Sequence, residues 1–199
     1  DAGVQHIDGV LMTHAHADHL HGIDDVRPVV LQMRRLVDIH ADERTSDVLM
    51  KRFGYIFETP LASGYPPIAR LWRLPEGHPL KIEGPGGTVE ALAIPVEHGS
   101  GFRSLGFRFE GVAYIPDVSS IPPEAMQALR GLDLLILDAL RYKAHPTHFS
   151  VTDALAAIAE LKPRRAVLTN LHTDLDFDKL SSELPPGVEP ACDGWTTSL

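Results

Sequence analysis

The chain has 199 residues, 44 % of them hydrophobic and 23 % charged, so it can bury a core and is not a disordered polymer. Its formal net charge is −9, from 18 basic and 27 acidic residues, which argues against a generic nucleic-acid-binding surface. One cysteine, Cys192, excludes an intrachain disulfide and fits a reducing, cytoplasmic setting; no run of about 18 apolar residues offers a membrane span.

Ile7–Thr13 reads as a short buried strand that ends on a run of histidines. Leu36–Asp42 reads as a second strand, and Asp42 is placed to cap a helix across Glu43–Phe53. Residues 54–70 hold Gly, Pro and aromatic residues with no clear period, and are expected to form a long loop or lid. A β-rich middle follows, in the segments LWRL, PLKIE, TVEALAIPV, SLGFRFE and VAYIP, with Gly-rich turns between some of them. PPEAMQALRG predicts a short helix with Pro near its start and Gly at its end. LLILD predicts a buried strand. SVTDALAAIAELK predicts a helix capped by Ser150, with Asp153 three residues on. RAVLTN reads as a strand and FDKLSSEL as a short helix. Runs of strands with helices between them predict one α+β domain over residues 1–199, an αββα-like arrangement of sheets covered by helices.

Strand ends carry the chemistry. Ile7–Thr13 is followed by His14, His16, Asp18 and His19; TVEALAIPV by Glu97 and His98; VAYIP by Asp117; RAVLTN by His172. Such ends hold side chains rigidly where metal ligands must converge. Imidazole and carboxylate suit zinc, manganese or iron. In an extended segment, residues i and i+2 point the same way, so His14 and His16 can grip one ion. Asp18 and His19 lie beyond, where the chain turns, and can serve a second. Asp117 can bridge both. Two ions about 3.5–4 Å apart can share a hydroxide and clamp a phosphoryl or acyl oxygen.

The residues His14-Ala-His16-Ala-Asp18-His19, His98, Asp117 and His172, in that order, resemble the signature of the metallo-β-lactamase superfamily of binuclear hydrolases. The resemblance implies one ion bound by His14, His16 and His98, a second by Asp18, His19 and His172, and Asp117 as the bridge. The late cysteine ligand of the main β-lactamase subclasses is absent, since Asp117 stands in the series and Cys192 follows His172. The Glu and flavin domain of flavodiiron reductases are not visible either. HPTHFSVTDALAAI (145–158) is similar to a helix-entry motif of the phosphodiesterase branch, which includes the transfer-RNA 3′-processing ribonuclease and the phosphoribosyl cyclic phosphodiesterase. By that analogy His148 is a further catalytic histidine that protonates the leaving alkoxide or stabilises charge on phosphate. Asp18 is taken as catalytic as well as ligating. No basic arm is found, so tRNA is disfavoured as substrate. The family begins with strands ahead of its first motif, whereas here that motif starts at His14 of a chain without an initial Met; the first strands of the sandwich are expected to be missing.

Other residues are candidates as well. His145 competes with His148 for the same task. Asp138, at a strand end, either orients a histidine or is a plain terminal carboxylate. Arg27 and Arg141 could meet phosphate, and Tyr65 could stack on a base or sugar. His21, His6, His40 and His78 are read as bystanders. The function expected is hydrolysis of a small cyclic phosphate or nucleotide-like phosphodiester by a metal-bridging hydroxide, with two divalent ions per chain (Zn or Mn, Fe as a further option). Carboxyl ester, thioester or lactone hydrolysis at the same ions is the alternative. A catalytically silent nucleotide-binding module is a third reading. Homodimerisation through an exposed sheet face stays open.

Overall fold

The structure, a computed structural model, describes residues 3–59, 64–75 and 77–198. Contacts divide the chain into two compact units, Asp1–Val89 and Glu90–Leu199.

The first unit is built on three parallel strands, β1 (Gly9–Leu11), β2 (Val37–Ala41) and β3 (Ala69–Arg73), in the order β1-β2-β3. Parallel neighbours need long crossovers, usually helical. Between β1 and β2 these are α1 (Ala17–Leu20), a 3₁₀ segment (His21–Val26) and α2 (Arg27–Met33), none of which is predicted from the sequence. Leu20, Ile23 and Val30 are the buried residues of this stretch and do recur at helical spacing, but Gly22, Pro28 and the crowd of His and Asp mask the period. Between β2 and β3 lies α3 (Glu43–Phe53) as expected, its N-terminus capped by the Asp42 carboxylate, which accepts from Thr45 N at 2.7 Å. Val37, Ile39 and Ala41 of β2 are fully buried and pack with Met12, Leu49, Ile56 and Ile68. β4 (Leu80–Gly84) also belongs to this unit. Of the lid expected over residues 54–70, residues 60–63 lie outside the described residues. Gly54–Ile56 form a 3₁₀ turn, and the last two residues already enter β3.

Across the β2–β3 pair, Asp38 accepts from Arg70 at 2.6 and 2.9 Å and from Trp72 Nε1 at 2.9 Å. Burial pushes the Asp38 carboxyl upward, but these donors outweigh it and hold the group below the ordinary carboxylate range. A depressed folded pKa gives stability that is present above the unfolded value and lost as pH falls through the folded one. Asp38→Asn should therefore flatten the acid limb of the stability–pH curve below about pH 4. Urea unfolding at several acidic pH values measures this.

The second unit holds a mixed sheet. The chain enters it along β5 (Gly87–Glu97) and continues through β6 (Arg103–Phe109), β7 (Val112–Ile115), β8 (Leu134–Asp138), β9 (Arg165–Thr169) and β10 (Val188–Pro190). These strands neighbour one another in the order β10-β9-β8-β7-β6-β5. β5, β6 and β7 pair antiparallel, whereas β7, β8, β9 and β10 pair parallel. The helices are α4 (Pro123–Ala128), α5 (Val151–Leu161) and α6 (Phe177–Glu183). α5 starts on a full capping box: Asp153 N donates to Ser150 Oγ, and Ser150 N donates to Asp153. β8 is an unbroken apolar run because Leu134, Leu135 and Leu137 are all buried, with Ile94, Ile115, Leu129 and Leu168 elsewhere in the same unit's core. Leu137→Ala should cost about 2–5 kcal/mol of unfolding free energy, read from the urea midpoint.

Candidate metal centre

In the first unit the chain leaves β1 extended, and His16 is still in the extended region (φ −71°, ψ 156°) where it caps α1. His14 and His16 therefore point the same way, as the two-residue spacing predicts: His14 Nε2 lies 2.9 Å from His16 Nδ1. α1 then turns Asp18 and His19 back. The His19 and His14 ring centroids are 4.3 Å apart, and Asp18 Oδ2 is 3.4 Å from His19 Nε2. Thr13, which carried no signal in the sequence, stands under both rings. Its hydroxyl is 3.1 Å from His14 Nδ1 and 3.2 Å from His19 Nδ1. A hydroxyl has two lone pairs, so it can accept Nδ1–H from both rings. That arrangement leaves a lone pair on each ring's Nε2, as metal ligation requires. His14 is buried and the Asp18 carboxylate exposed. His21 instead packs its ring on Phe53, as a bystander would.

In the second unit the carboxyl ends of the parallel strands β7, β8 and β9 present Asp117, Asp138 and Asn170, the edge at which such sheets place their chemistry. β5 contributes His98 just past its end. His98 Nδ1 is 2.6 Å from the Thr147 carbonyl oxygen. A carbonyl only accepts, so Nδ1 carries a proton and Nε2 is the nitrogen turned to the carboxylate. Nε2 lies 3.3 Å from Asp117 Oδ2, with both residues 2 % exposed. A buried imidazole nitrogen beside a carboxylate oxygen is a pair of ligand types that divalent cations take. The donor set thus fits a divalent metal. Gly99 helps to build it: with φ +96° and a missing Cβ that would stand 2.8 Å from the Thr147 methyl, it lets that loop close on His98.

His148 Nδ1 donates to Asp138 Oδ2 at 2.8 Å, and Asp138 also accepts from Val118 N at 3.0 Å. Asp138 is fully buried; burial raises its pKa, and the bonds from His148 and Val118 oppose that rise. Of the two readings of Asp138, the histidine-orienting one matches this contact. The His148 ring is 4.7 Å from that of His98 and 5.2 Å from that of His145. Burial lowers the pKa of His145, with Arg141 and His148 adding to the effect. His172 is exposed; its Nδ1 accepts from Asp174 N at 3.3 Å, and its backbone N donates to Leu140 O at 2.9 Å. Arg141 bonds the Lys143 and Ala144 carbonyls and Arg27 bonds Asp24, so both serve local structure. Tyr65 is exposed.

Asp138 was the half-visible member of this set, and Thr13, Asn170 and the Thr147 carbonyl were the invisible ones. Threonine and asparagine at strand ends are ordinary, and a backbone oxygen leaves no trace in a sequence.

The profile of the beta-lactamase superfamily domain matches residues 1–170. An octanoyltransferase from Porphyromonas gingivalis is 31 % identical over 198 residues; the match covers 97 % of this chain and spans 38 % of that protein's length. The crystal structure of a diphosphatase from the PhnP family is 37 % identical, with a TM-score of 0.84, over 97 % of this chain and 71 % of that one. The short form of human tRNase Z is 20 % identical with a TM-score of 0.62, over 87 % of this chain and 75 % of that one, a likeness of fold alone. Among the described residues no helix is long and apolar enough to cross a membrane. With its α+β elements, its histidine motif behind β1 and this profile match over most of its length, the chain belongs to the beta-lactamase superfamily and has the metallo-β-lactamase fold.

Proposed function

We propose that the chain is a phosphodiesterase for small cyclic phosphates or nucleotide-like diesters, dependent on two divalent ions. The proposed ligands are His14, His16, Asp18, His19, His98, Asp117 and His172. The single observation that carries the reading is the buried His98–Asp117 pair, imidazole nitrogen against carboxylate, with the His148–Asp138 pair beside it. A 37 % identical relative being a diphosphatase supports phosphorus over carbon as the electrophile. Divalent ions there would lower the pKa of water to about 7 and neutralise charge on the phosphoryl oxygens. Asp138 holds His148 through Nδ1–H, so its carboxylate stabilises the ring when both nitrogens are protonated. The Nε2 proton is then the one given to the leaving alkoxide. The Thr147 carbonyl fixes a proton on His98 Nδ1, and the Thr13 hydroxyl can accept Nδ1–H from His14 and His19.

One finding favours a second reading. The Porphyromonas gingivalis relative is named for acyl transfer, although this chain spans only 38 % of it. Carboxyl thioester or ester hydrolysis is therefore the competing activity. Initial rates on bis-(p-nitrophenyl) phosphate and on carboxyl and thioester p-nitro compounds decide between them. A phosphodiester rate above both carbon esters is expected; the reverse order would replace the first reading by the second.

A further inference from the structure

Asn170 follows β9 with φ +60°, in the left-handed region that asparagine enters more easily than most residues. The turn carries its side-chain amide to two carboxylates at once. Nδ2 is 3.1 Å from Asp117 Oδ1 and 3.3 Å from Asp138 Oδ1, with the Pro116 carbonyl at 3.4 Å. Both carboxylates are buried, and like charges this close repel strongly away from water. An amide nitrogen offers two hydrogens and no charge, so it can serve both without competing with a bound cation. The division of oxygens is consistent on the two sides. In each carboxylate Oδ1 faces Asn170, and Oδ2 faces a histidine: His98 Nε2 at 3.3 Å for Asp117, His148 Nδ1 at 2.8 Å for Asp138.

We propose that Asn170 is a positioning residue that clamps the Oδ1 atoms of Asp117 and Asp138, and so keeps Oδ2 of Asp117 turned to the metal side and Oδ2 of Asp138 turned to His148. The inference rests on the metal-dependent reading above. It links the metal side and the proton donor through one uncharged side chain, and it accounts for an asparagine where the backbone alone would accept glycine.

The test uses Asn170→Gly, which keeps the left-handed backbone and removes the amide, and Asn170→Ala, which removes the amide from a strained backbone. Two quantities are measured: zinc retention against a graded chelator, and the melting temperature of the metal-free protein. Asn170→Gly is expected to melt within about 4 °C of wild type when metal-free. Both variants are expected to retain zinc about 10- to 100-fold more weakly, the usual effect of losing a group that orients a ligand. If Asn170→Gly does not fold, Asn170→Ala carries the same comparison. Retention within twofold of wild type in a folded variant overturns the inference while the metal reading stands. Loss of folding in both variants also overturns it, by assigning the amide to the fold. Wild-type protein that retains no zinc overturns the metal reading and, with it, the inference.

Discussion

Asp117→Ala should hydrolyse bis-(p-nitrophenyl) phosphate at least about a hundredfold more slowly than wild type at equal protein and metal concentration. That is the upper end of the loss seen when only an outer hydrogen-bonding partner of a metal ligand is removed, and Asp117 is proposed as a ligand itself. The physical reason lies in the second unit. Asp117 is buried and supplies the negative charge beside His98 Nε2. Alanine leaves that nitrogen and the Asn170 amide facing a hole, and removes a charge that divalent ions require. Folding should survive, since Asp117 contributes nothing to the apolar core around Ile115 and Leu137. Circular dichroism of the variant checks this, and a folded Asp117→Ala protein with full activity would remove the residue from the centre.

His148→Ala should discriminate between chemistries. Proton transfer from a positioned side chain contributes typically about 10²- to 10⁴-fold. The rate on a cyclic phosphodiester is expected to fall by that amount, because its alkoxide leaving group needs the proton. An activated ester, whose leaving group departs without help, should change by less than about tenfold. Asp138→Asn should reproduce part of the loss with His148 still in place, since the amide cannot hold the doubly protonated ring as the carboxylate does. Equal losses on phosphodiesters and carbon esters would make His148 a structural residue of the α5 entry rather than a proton donor.

Most strands were legible because each is an apolar run with turn residues at its ends. LLILD, for example, has three buried leucines in five residues, and RAVLTN is closed by the Asn in left-handed conformation. α5 was legible from Ser150 and Asp153, which form the predicted capping box. The helices over residues 17–33 were not, because residues chosen for chemistry replace the apolar ones that would mark a period. β10 was missed because three residues with a Pro carry no strand pattern. In the site, His14 and His16 could be paired from spacing alone, since two residues apart on an extended chain is a geometric statement. The His98–Thr147 and Asn170–Asp117 contacts could not, as they join residues 49 and 53 positions apart through a carbonyl and an amide. His172, carried over from the family pattern, is held to its own turn through Asp174.

The most direct measurement titrates metal-free protein with Zn(II) or Mn(II) and follows bis-(p-nitrophenyl) phosphate hydrolysis at each addition. A rate that is absent without metal and reaches its plateau at two ions per chain is expected. Full hydrolysis by the metal-free protein, or none at any metal ratio, would contradict the assignment of a binuclear phosphodiesterase.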